Sequence, residues 1–256
     1  MTDFGVDMTI HSSPLGFSYG NDVTGPMPEI RTLDQIRPSL RDPQCEGPEE
    51  VYAIAMDVAR MQDRAELEKR MLLFGVVTYA AGTLGEEPIR SQGHVHRISL
   101  HSGWSPPELY EIWQGKAIIY MQEYVDDDPG RCFAVLAGPG DKVLVPPGWG
   151  HATISASPDE ALTFGAWCDR EYGFEYDAVR AHKGLAWYPL VQEKQIVWQH
   201  NSHYIPGRLQ VITPRRYREF GISDEPIYQQ FIDEPARFQF ISHPGKAADI
   251  WRNFHP

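Results

Sequence analysis

Three histidines and one glutamate have the residue types and spacing of a metal site. His94 and His96 are two residues apart, so in a β-strand both side chains point to the same face. Glu108 and His151 follow further along the chain. Three imidazoles and one carboxylate suit Fe, Mn, Ni, Zn or Co and leave positions open for water or substrate. We therefore predict one metal ion held by His94, His96, Glu108 and His151.

Local structure supports the choice of Glu108 and His151. In a strand Glu108 and Tyr110 share one face, whereas Glu111 points to the other. His151 follows residues 146–150, Pro-Pro-Gly-Trp-Gly, and such a φ-restricted turn holds an imidazole in a fixed place. A His-x-His pair alone is more often accidental, and a Pro-Pro-Gly turn alone is only a turn. The two segments together favour a metal site.

The elements that must position these residues are mostly short strands. From residue 72 to 163, β-type runs alternate with Gly, Pro and Asp turns, which predicts a sandwich or a barrel. The predicted strands are 51–56, 74–79, 109–113, 117–120, 133–136, 142–145 and 162–167. The acidic run 126–130 predicts a hairpin loop, and residues 63–70 predict a polar turn.

The two ends of the chain differ from this central pattern. Six prolines among polar residues keep regular structure short in residues 1–50 and predict an arm over the core. After residue 185, strands at 195–198 and 208–212 precede a helix that begins at Thr213-Pro214 and ends at Gly221. A last helix is predicted over 246–253. We expect an N-terminal arm (1–50), a barrel domain (51–185) and a mixed α/β extension (186–256).

Composition excludes several classes of protein. A formal net charge of -12 argues against a nucleic-acid-binding surface. No apolar run approaches the roughly 20 residues of a membrane-spanning helix, and the first residues lack the pattern of a signal peptide. Cys45, Cys132 and Cys168 are odd in number and widely spaced, which favours reduced thiols. We expect a soluble, cytoplasmic protein.

The wider context of the two histidine segments resembles a known family. The matching residues are Gly82, Gly85, Glu87, Ser91-Gln92-Gly93-His94-Val95-His96, Glu108-Leu109-Tyr110, Gly115, Val145-Pro146-Pro147-Gly148-Trp149-Gly150-His151 and Tyr172-Gly173-Phe174-Glu175-Tyr176. They resemble the cupin-type phosphoglucose isomerases, which are glucose-6-phosphate isomerases of the cupin superfamily, roughly from Arg31 to Leu185. The resemblance implies an all-β dominated cupin barrel, also called a double-stranded β-helix or jelly roll.

The resemblance also implies an activity. His94, His96, Glu108 and His151 would bind one divalent transition metal per subunit, Fe, Mn, Ni or Zn. The enzyme would interconvert glucose 6-phosphate and fructose 6-phosphate through an enediolate, as in glycolysis and gluconeogenesis.

Further roles follow from the same resemblance. Glu108 would act as the base, and Ser91 and Gly93 would hold the sugar phosphate. Tyr110 would relay the proton or orient a hydroxyl, although it could equally be a packed core tyrosine. A homodimer is expected, because exchange of an edge strand is ordinary for such barrels.

Some residues leave the substrate open. Phe174 stands where the family has a histidine, and Ser91 where it has a threonine. The alternatives are a cupin dioxygenase that uses ferrous iron and a non-catalytic sugar-phosphate-binding cupin. Arg90, Arg97 and Lys183 are the basic residues nearest the motifs, and each could serve the phosphate or only the surface. His101 lies between His96 and Glu108 in sequence and could approach the site, whereas residues 200–203, His-Asn-Ser-His, are a weak second metal candidate.

Overall fold

A computed structural model describes residues 4–256. The strands are β1 (Met8–Ser12), β2 (Leu15–Tyr19), β3 (Val23–Thr24), β4 (Glu29–Thr32), β5 (Glu50–Met56), β6 (Ala59–Arg60), β7 (Leu72–Tyr79), β8 (Thr83–Leu84), β9 (Glu87–Pro88), β10 (Val95–His96), β11 (Glu108–Gln114), β12 (Ala117–Gln122), β13 (Cys132–Ala137), β14 (Lys142–Val145), β15 (Gly150–Ser155), β16 (Leu162–Asp169), β17 (Phe174–Glu175), β18 (Trp187–Gln192), β19 (Gln195–His200) and β20 (Leu209–Ile212). The α-helices are α1 (Leu33–Ile36), α2 (Arg64–Lys69), α3 (Asp177–Ala181), α4 (Ile227–Asp233), α5 (Gln239–Ser242) and α6 (Ala248–Arg252). Single 3₁₀ turns cover Arg37–Ser39, Arg218–Phe220, Pro235–Phe238 and Pro244–Ala247.

Two large sheets enclose one core. The six-stranded sheet has the order β14-β11-β16-β7-β5-β4, and the four-stranded sheet has the order β15-β12-β13-β20. Val77 and Phe164 of the first sheet pack in one cluster with Ile119 and Val135 of the second. The predicted all-β cupin barrel is confirmed.

The six-stranded sheet is covered on both faces. Every residue of β7 and of β16 is buried. Val77 points into the barrel, whereas Phe74 and Trp167 pack outward against Tyr228 and Phe231 of α4. Because successive strand residues face opposite sides, a strand covered on both faces reads as a continuous apolar run.

The N-terminal segment joins this sheet at its edge. β4 pairs antiparallel with β5, and this register sets Arg31 opposite Tyr52. Leu15 and Phe17 of β2 are buried in the outer cluster. Residues 1–3 of the predicted arm lie outside the described residues, and the domain boundaries after residues 50 and 185 stay predictions.

Most predicted strands lie within observed ones, but several observed strands were not predicted. The runs 51–56, 74–79, 109–113, 117–120, 133–136, 142–145, 162–167 and 195–198 all fall inside strands, and 208–212 begins one residue later, at Leu209. The acidic loop does connect the β12–β13 hairpin. The sequence missed β15, directly after the Pro-Pro-Gly turn, and β18.

The predicted polar turn over 63–70 is wrong, because residues 64–69 form α2. One apolar residue, Leu67, is fully buried, and Arg70 Nε donates to Glu66 Oε1 at 2.6 Å across one turn of chain. A single buried side chain and such i,i+4 pairs suffice for a short helix on a packed surface. No helix within residues 4–256 is long and apolar enough to cross a membrane.

The helix predicted from Thr213 to Gly221 is also wrong. Only the 3₁₀ turn Arg218–Phe220 forms there, and Gly221 ends it with φ 68°. The buried Tyr217 hydroxyl accepts a hydrogen bond from Leu144 N at 3.0 Å, which ties the segment to β14 with Tyr217 in a non-helical backbone conformation. The last helical segment runs as a 3₁₀ turn from Pro244 and continues as α6, close to the predicted 246–253.

The outer aromatic cluster leads to a stability prediction. Phe231 of α4 is 1% exposed and packs against Trp167, Tyr228 and Phe238. We expect Phe231→Ala to lower the free energy of unfolding, measured by urea denaturation, by about 3–5 kcal/mol, because it leaves a cavity between α4 and the sheet. The exposed Asp233→Ala in the same helix is the control, with an expected change within about 0.5 kcal/mol. Equal effects of the two substitutions would contradict this role of the cluster.

Candidate metal centre

A backbone pair brings two of the predicted histidines together. His94 N donates to His151 O at 3.0 Å, and His151 N donates to His94 O at 2.9 Å. Just before this pair, Gly93 has φ +87°, and a Cβ there would lie 2.9 Å from Leu185 Cδ1. Both the left-handed backbone and the close approach require glycine at this position.

The turn before His151 is anchored by its Trp149 side chain, which packs on the neighbouring strand region. Gly148 has φ +79° between the prolines and Trp149, which a tight turn of this kind requires. The Trp149 ring stacks on Phe133 with centroids 6.0 Å apart, and the Arg131 guanidinium lies 5.3 Å from the Trp149 ring centroid. His151 then enters β15 at a fixed position.

Glu108 is a buried carboxylate with four neighbours. Its Oε2 accepts a hydrogen bond from Tyr110 OH at 2.6 Å and lies 3.3 Å from Nε2 of His96 and from Nε2 of His151. Cys168 Sγ lies 3.2 Å from the other oxygen, Oε1. Glu111 points to the opposite face, as its spacing predicts, and there it pairs with Lys142 Nζ at 3.1 Å.

The four predicted ligands form a group that fits a metal cation. One ligand atom each from His94, His96, Glu108 and His151 lies within 4.8 Å of all the others. Nδ1 of His96 lies 2.8 Å from Pro106 O, and Nδ1 of His151 lies 3.0 Å from Trp149 O. With a cation bound, the proton of each ring would lie on Nδ1, so that Nε2 would present its lone pair to the centre of the group. Nε2 of His94 and of His96 are buried without a hydrogen-bond partner, and a bound cation would satisfy both.

Burial and the neighbouring groups shift the pKa values of the four predicted ligands. Burial alone would raise the pKa of the Glu108 carboxyl, but His151 and His96 beside it outweigh burial and hold that pKa well below its usual range. Burial, with His151 and His96 close by, holds the pKa of His94 well below its usual value. Burial likewise lowers the pKa of His151. Burial also acts to lower the pKa of His96, but Glu108 beside it outweighs burial and raises that pKa above its usual value. The group therefore offers an ionised carboxylate and, at His94 and His151, imidazoles whose lowered pKa favours the neutral form that binds metals.

A cavity inside the barrel opens beside this group. His94, Glu108, Tyr110 and Ser91 lie in its wall. Ser91 Oγ accepts a hydrogen bond from Thr153 N at 3.1 Å, which fixes the hydroxyl there. The remaining predicted residue, Gly93, is not among the residues that line this cavity.

Phe174 packs against the predicted ligands. Its ring centroid lies 4.5 Å from that of His94 and 5.9 Å from that of His96. The short strand β17 sets this contact, because Phe174 pairs with His96 in β10. The aromatic ring shields the imidazoles from water on this side and lines the cavity.

Other residues considered from the sequence lie elsewhere. Arg90 is buried in an ion pair with Glu87 at 2.7 Å, and neither Arg97 nor Lys183 lines the cavity. His101 does not join the group, because its Nε2 lies 2.8 Å from Asp169 Oδ2.

Residues 200–203 hold no second group of three or more metal ligands; within residues 4–256 only the one group was found. Asn201 instead donates from its side-chain amide to His182 O and Leu185 O, so this segment has a structural role.

Sequence reasoning missed three cavity residues, Arg31, Tyr52 and Tyr176, as functional candidates. Arg31 and Tyr52 lie far from the histidine motifs in sequence, and only the β4–β5 register places them together. Tyr176 belongs to a segment that resembles the family, but the sequence assigns no function to its side chain. An isolated arginine or tyrosine gives no spacing signal.

Comparison with known structures finds low similarity over about half of the chain. A vicilin from Corylus avellana is 12% identical, with a TM-score of 0.36 over 50% of this chain and 32% of that chain. An oxalate oxidase in complex with glycolate is 12% identical, with a TM-score of 0.35 over 48% of this chain and 53% of that chain. A variant of the oxalate decarboxylase of B. subtilis is 15% identical, with a TM-score of 0.35 over 51% of this chain and 29% of that chain.

Comparison with protein sequences gives a more specific result. A Rhizobium meliloti (strain 1021) protein named "Putative glucose-6-phosphate isomerase 1" is 25% identical over 114 residues. That alignment covers 44% of this chain and 49% of the relative, so the chain spans about half the length of the relative it matches. The family model described as glucose-6-phosphate isomerase (GPI) matches residues 40–207, which is more than half of the chain. The chain therefore belongs to the cupin-type glucose-6-phosphate isomerase family.

Proposed function

We propose that this protein is a metal-dependent isomerase that interconverts glucose 6-phosphate and fructose 6-phosphate. One observation carries the proposal. A chain of this family places ligand atoms of His94, His96, Glu108 and His151 within 4.8 Å of one another, and two of these residues, His94 and Glu108, line a cavity inside the barrel. Family membership supports isomerase activity, and the choice of these two sugar phosphates is the proposal.

The residues suit proton transfer beside a carbonyl. Aldose and ketose phosphates interconvert by loss of a proton next to the carbonyl, which gives an enediolate. A divalent ion, Fe, Mn, Ni or Zn, held by His94, His96, Glu108 and His151 would supply Lewis-acid stabilisation of the charge on the enediolate oxygens. The walls of the barrel exclude water and strengthen electrostatic interactions there.

Glu108 is the proposed base. Its low pKa keeps the carboxylate ionised at neutral pH, because His151 and His96 outweigh the effect of burial. Cys168 lies at Oε1 and Tyr110 donates to Oε2, so both oxygens are oriented. A carboxylate bound to a metal is a weaker base, so the two roles of Glu108 compete. As the base, Glu108 would move the proton between the two reacting carbons of the substrate.

Tyr110, Ser91 and Gly93 complete the proposed site. Burial raises the pKa of the Tyr110 phenol well above its usual value, and the charge of Glu108 raises it further, so Tyr110 remains a proton donor. Ser91 Oγ in the cavity wall would bind a sugar-phosphate oxygen. Gly93 does not line the cavity, and its proposed part is the left-handed turn that lets the backbone pass from Ser91 to His94. A homodimer in the cytoplasm stays a prediction, and the three free, buried cysteines agree with a reducing compartment.

The metal site gives the first functional prediction. We expect His94→Ala and His151→Ala to lower metal affinity by at least about tenfold, since each removes one ligand. Elemental analysis of purified protein and titration of the chelated protein measure this. His203→Ala, an exposed histidine of the alternative segment, is the control and should retain full metal content. Loss of metal in the control alone would place the site at residues 200–203 instead.

The proposed isomerase activity gives the second functional prediction. Metal-loaded protein should convert glucose 6-phosphate in a coupled assay, and chelation should abolish conversion. Glu108→Gln should lower kcat at least about 100-fold, because an amide cannot accept the proton. Glu160→Gln, an exposed surface change, should leave kcat unaltered. Dioxygen uptake without isomerisation, or turnover only of other sugar phosphates, would refute the proposed reaction.

The hydroxyl of Tyr110 gives the third functional prediction. Tyr110→Phe removes the hydrogen bond to Glu108 Oε2 and should lower kcat about 10- to 100-fold while metal content stays full. Unchanged kcat would show that Tyr110 is only a packed core residue. Parallel loss of metal would instead assign the hydroxyl to holding Glu108 in place.

A further inference from the structure

The cavity beside the metal group contains one side chain with a permanent positive charge. Among its lining residues, all within the described part of the chain, only Arg31 is an arginine or lysine. The formal net charge of the protein is -12, so one cation in a buried cavity is a local exception. Arg31 also precedes residues 40–207, which the family model matches. Its presence in the cavity therefore follows from the structure of this chain.

Arg31 stands where the cavity meets the surface. It lines the inner cavity together with Ile54 and Phe174, and the same residues line a surface pocket that also includes Pro26 and Met27. Its side chain is 20% exposed, so the guanidinium is accessible and partly desolvated. A substrate that enters the barrel through this pocket passes Arg31.

The neighbours of Arg31 leave its charge available to an anion. Its ion-pair partner is Glu29, two residues away on the same strand, and the Glu29 side chain is 62% exposed. Burial raises the pKa of the Tyr52 and Tyr176 phenols, and the positive charge of Arg31 opposes that shift at both. Tyr52 is the partner of Arg31 in the β4–β5 register, and Tyr176 lines the same cavity, so both add hydroxyl donors near the guanidinium. The exposed Glu29 carboxylate can be returned to water at low cost.

The cavity wall carries one cationic and one anionic side chain. Glu108 is the only carboxylate among the inner lining residues, and it belongs to the metal group. Arg31 occupies the mouth, and Gln92 and Ser91 are further polar lining residues of the same cavity. In such a cavity the terminal anion of a ligand has a partner in Arg31, and its polar carbon chain has partners in Ser91 and Gln92 and in the metal group.

We infer that Arg31 binds the phosphoryl group of the substrate and makes the site select phosphorylated sugars over free sugars. The guanidinium fork matches two phosphate oxygens, and such charge-assisted pairs are stronger than neutral hydrogen bonds. This role rests on the proposed sugar-phosphate isomerase function and names a specificity-determining residue for it. The incoming dianion takes the place of the exposed Glu29 carboxylate as the partner of Arg31.

Calorimetric titration of inorganic phosphate, glucose 6-phosphate and glucose tests this role. With Arg31→Gln, the affinity for both phosphate ligands should fall about 30-fold, because a charge-assisted contact is lost, and the affinity for glucose should not change. Arg31→Lys keeps the charge without the fork and should give an intermediate loss. Glu29→Gln should tighten phosphate binding about threefold by removing the competing carboxylate.

Matched controls separate a local effect from a general one. Arg252→Gln also removes one positive charge and one ion pair, with Asp249 at 3.3 Å, outside the cavity, and it should bind phosphate as the wild type does. Thermal unfolding and metal content should be equal in all variants. Titration of chelated protein removes any contribution of phosphate bound to a metal. If Arg31→Gln is poorly folded, Arg31→Lys carries the test.

The outcomes for Arg31 and for the proposed function differ. Equal phosphate affinity of Arg31→Gln and wild type, or of Arg31→Lys and wild type where that variant carries the test, overturns the role of Arg31, whatever the activity. A 30-fold loss of phosphate affinity in a protein that turns over neither hexose phosphate keeps Arg31 as the anion site and removes the proposed substrate. In an active enzyme, Arg31→Gln should raise KM for glucose 6-phosphate about 30-fold and change kcat less than about threefold.

Discussion

A buried, ionised carboxylate is the constraint around which the centre of this barrel is arranged. Glu108 is only 7% exposed, and a carboxylate taken out of water is costly unless its oxygens receive donors or a cation. Tyr110 and His151 face Oε2, and Cys168 faces Oε1. These contacts orient the Glu108 carboxylate. His151, one of the residues that stabilise the buried charge, also belongs to the ligand set.

The barrel positions this set by linking distant segments through backbone hydrogen bonds. Glu108 begins β11 in the six-stranded sheet, whereas His151 lies in β15 of the other sheet. The His94–His151 backbone pair joins the histidine segment to the second sheet. Because both sheets share one close-packed core, the ligands keep their separation without a disulfide, and the three cysteines are free.

The two terminal segments both pack on the outer face of the six-stranded sheet, but they contribute differently to it. The last helices cover its outer face, where Trp167 packs on Tyr228 and Phe231. β4 extends the sheet at its edge and brings Arg31 to the wall of the inner cavity. The N-terminal segment therefore contributes to the cavity, and the C-terminal segment supports the sheet that carries Glu108.

The sequence alone determined what local patterns can encode. The period of two in a strand placed Glu108 and Tyr110 on one face and Glu111 on the other, and the Pro-Pro-Gly-Trp-Gly turn and the His-x-His pair marked the ligands. Short apolar runs located most of the strands that have six or more residues. Each of these features depends on neighbours within a few residues, and such interactions are present in the chain before it folds.

Only the tertiary structure decided the contacts between distant segments. Tyr217 bonds to Leu144 N in a non-helical backbone conformation, where Thr213-Pro214 and Gly221 predicted a helix. His101 turns to Asp169, and Arg31 enters the cavity through the β4–β5 register. Long-range pairing and burial fix these positions, and their energies exceed the local propensities that a sequence pattern records.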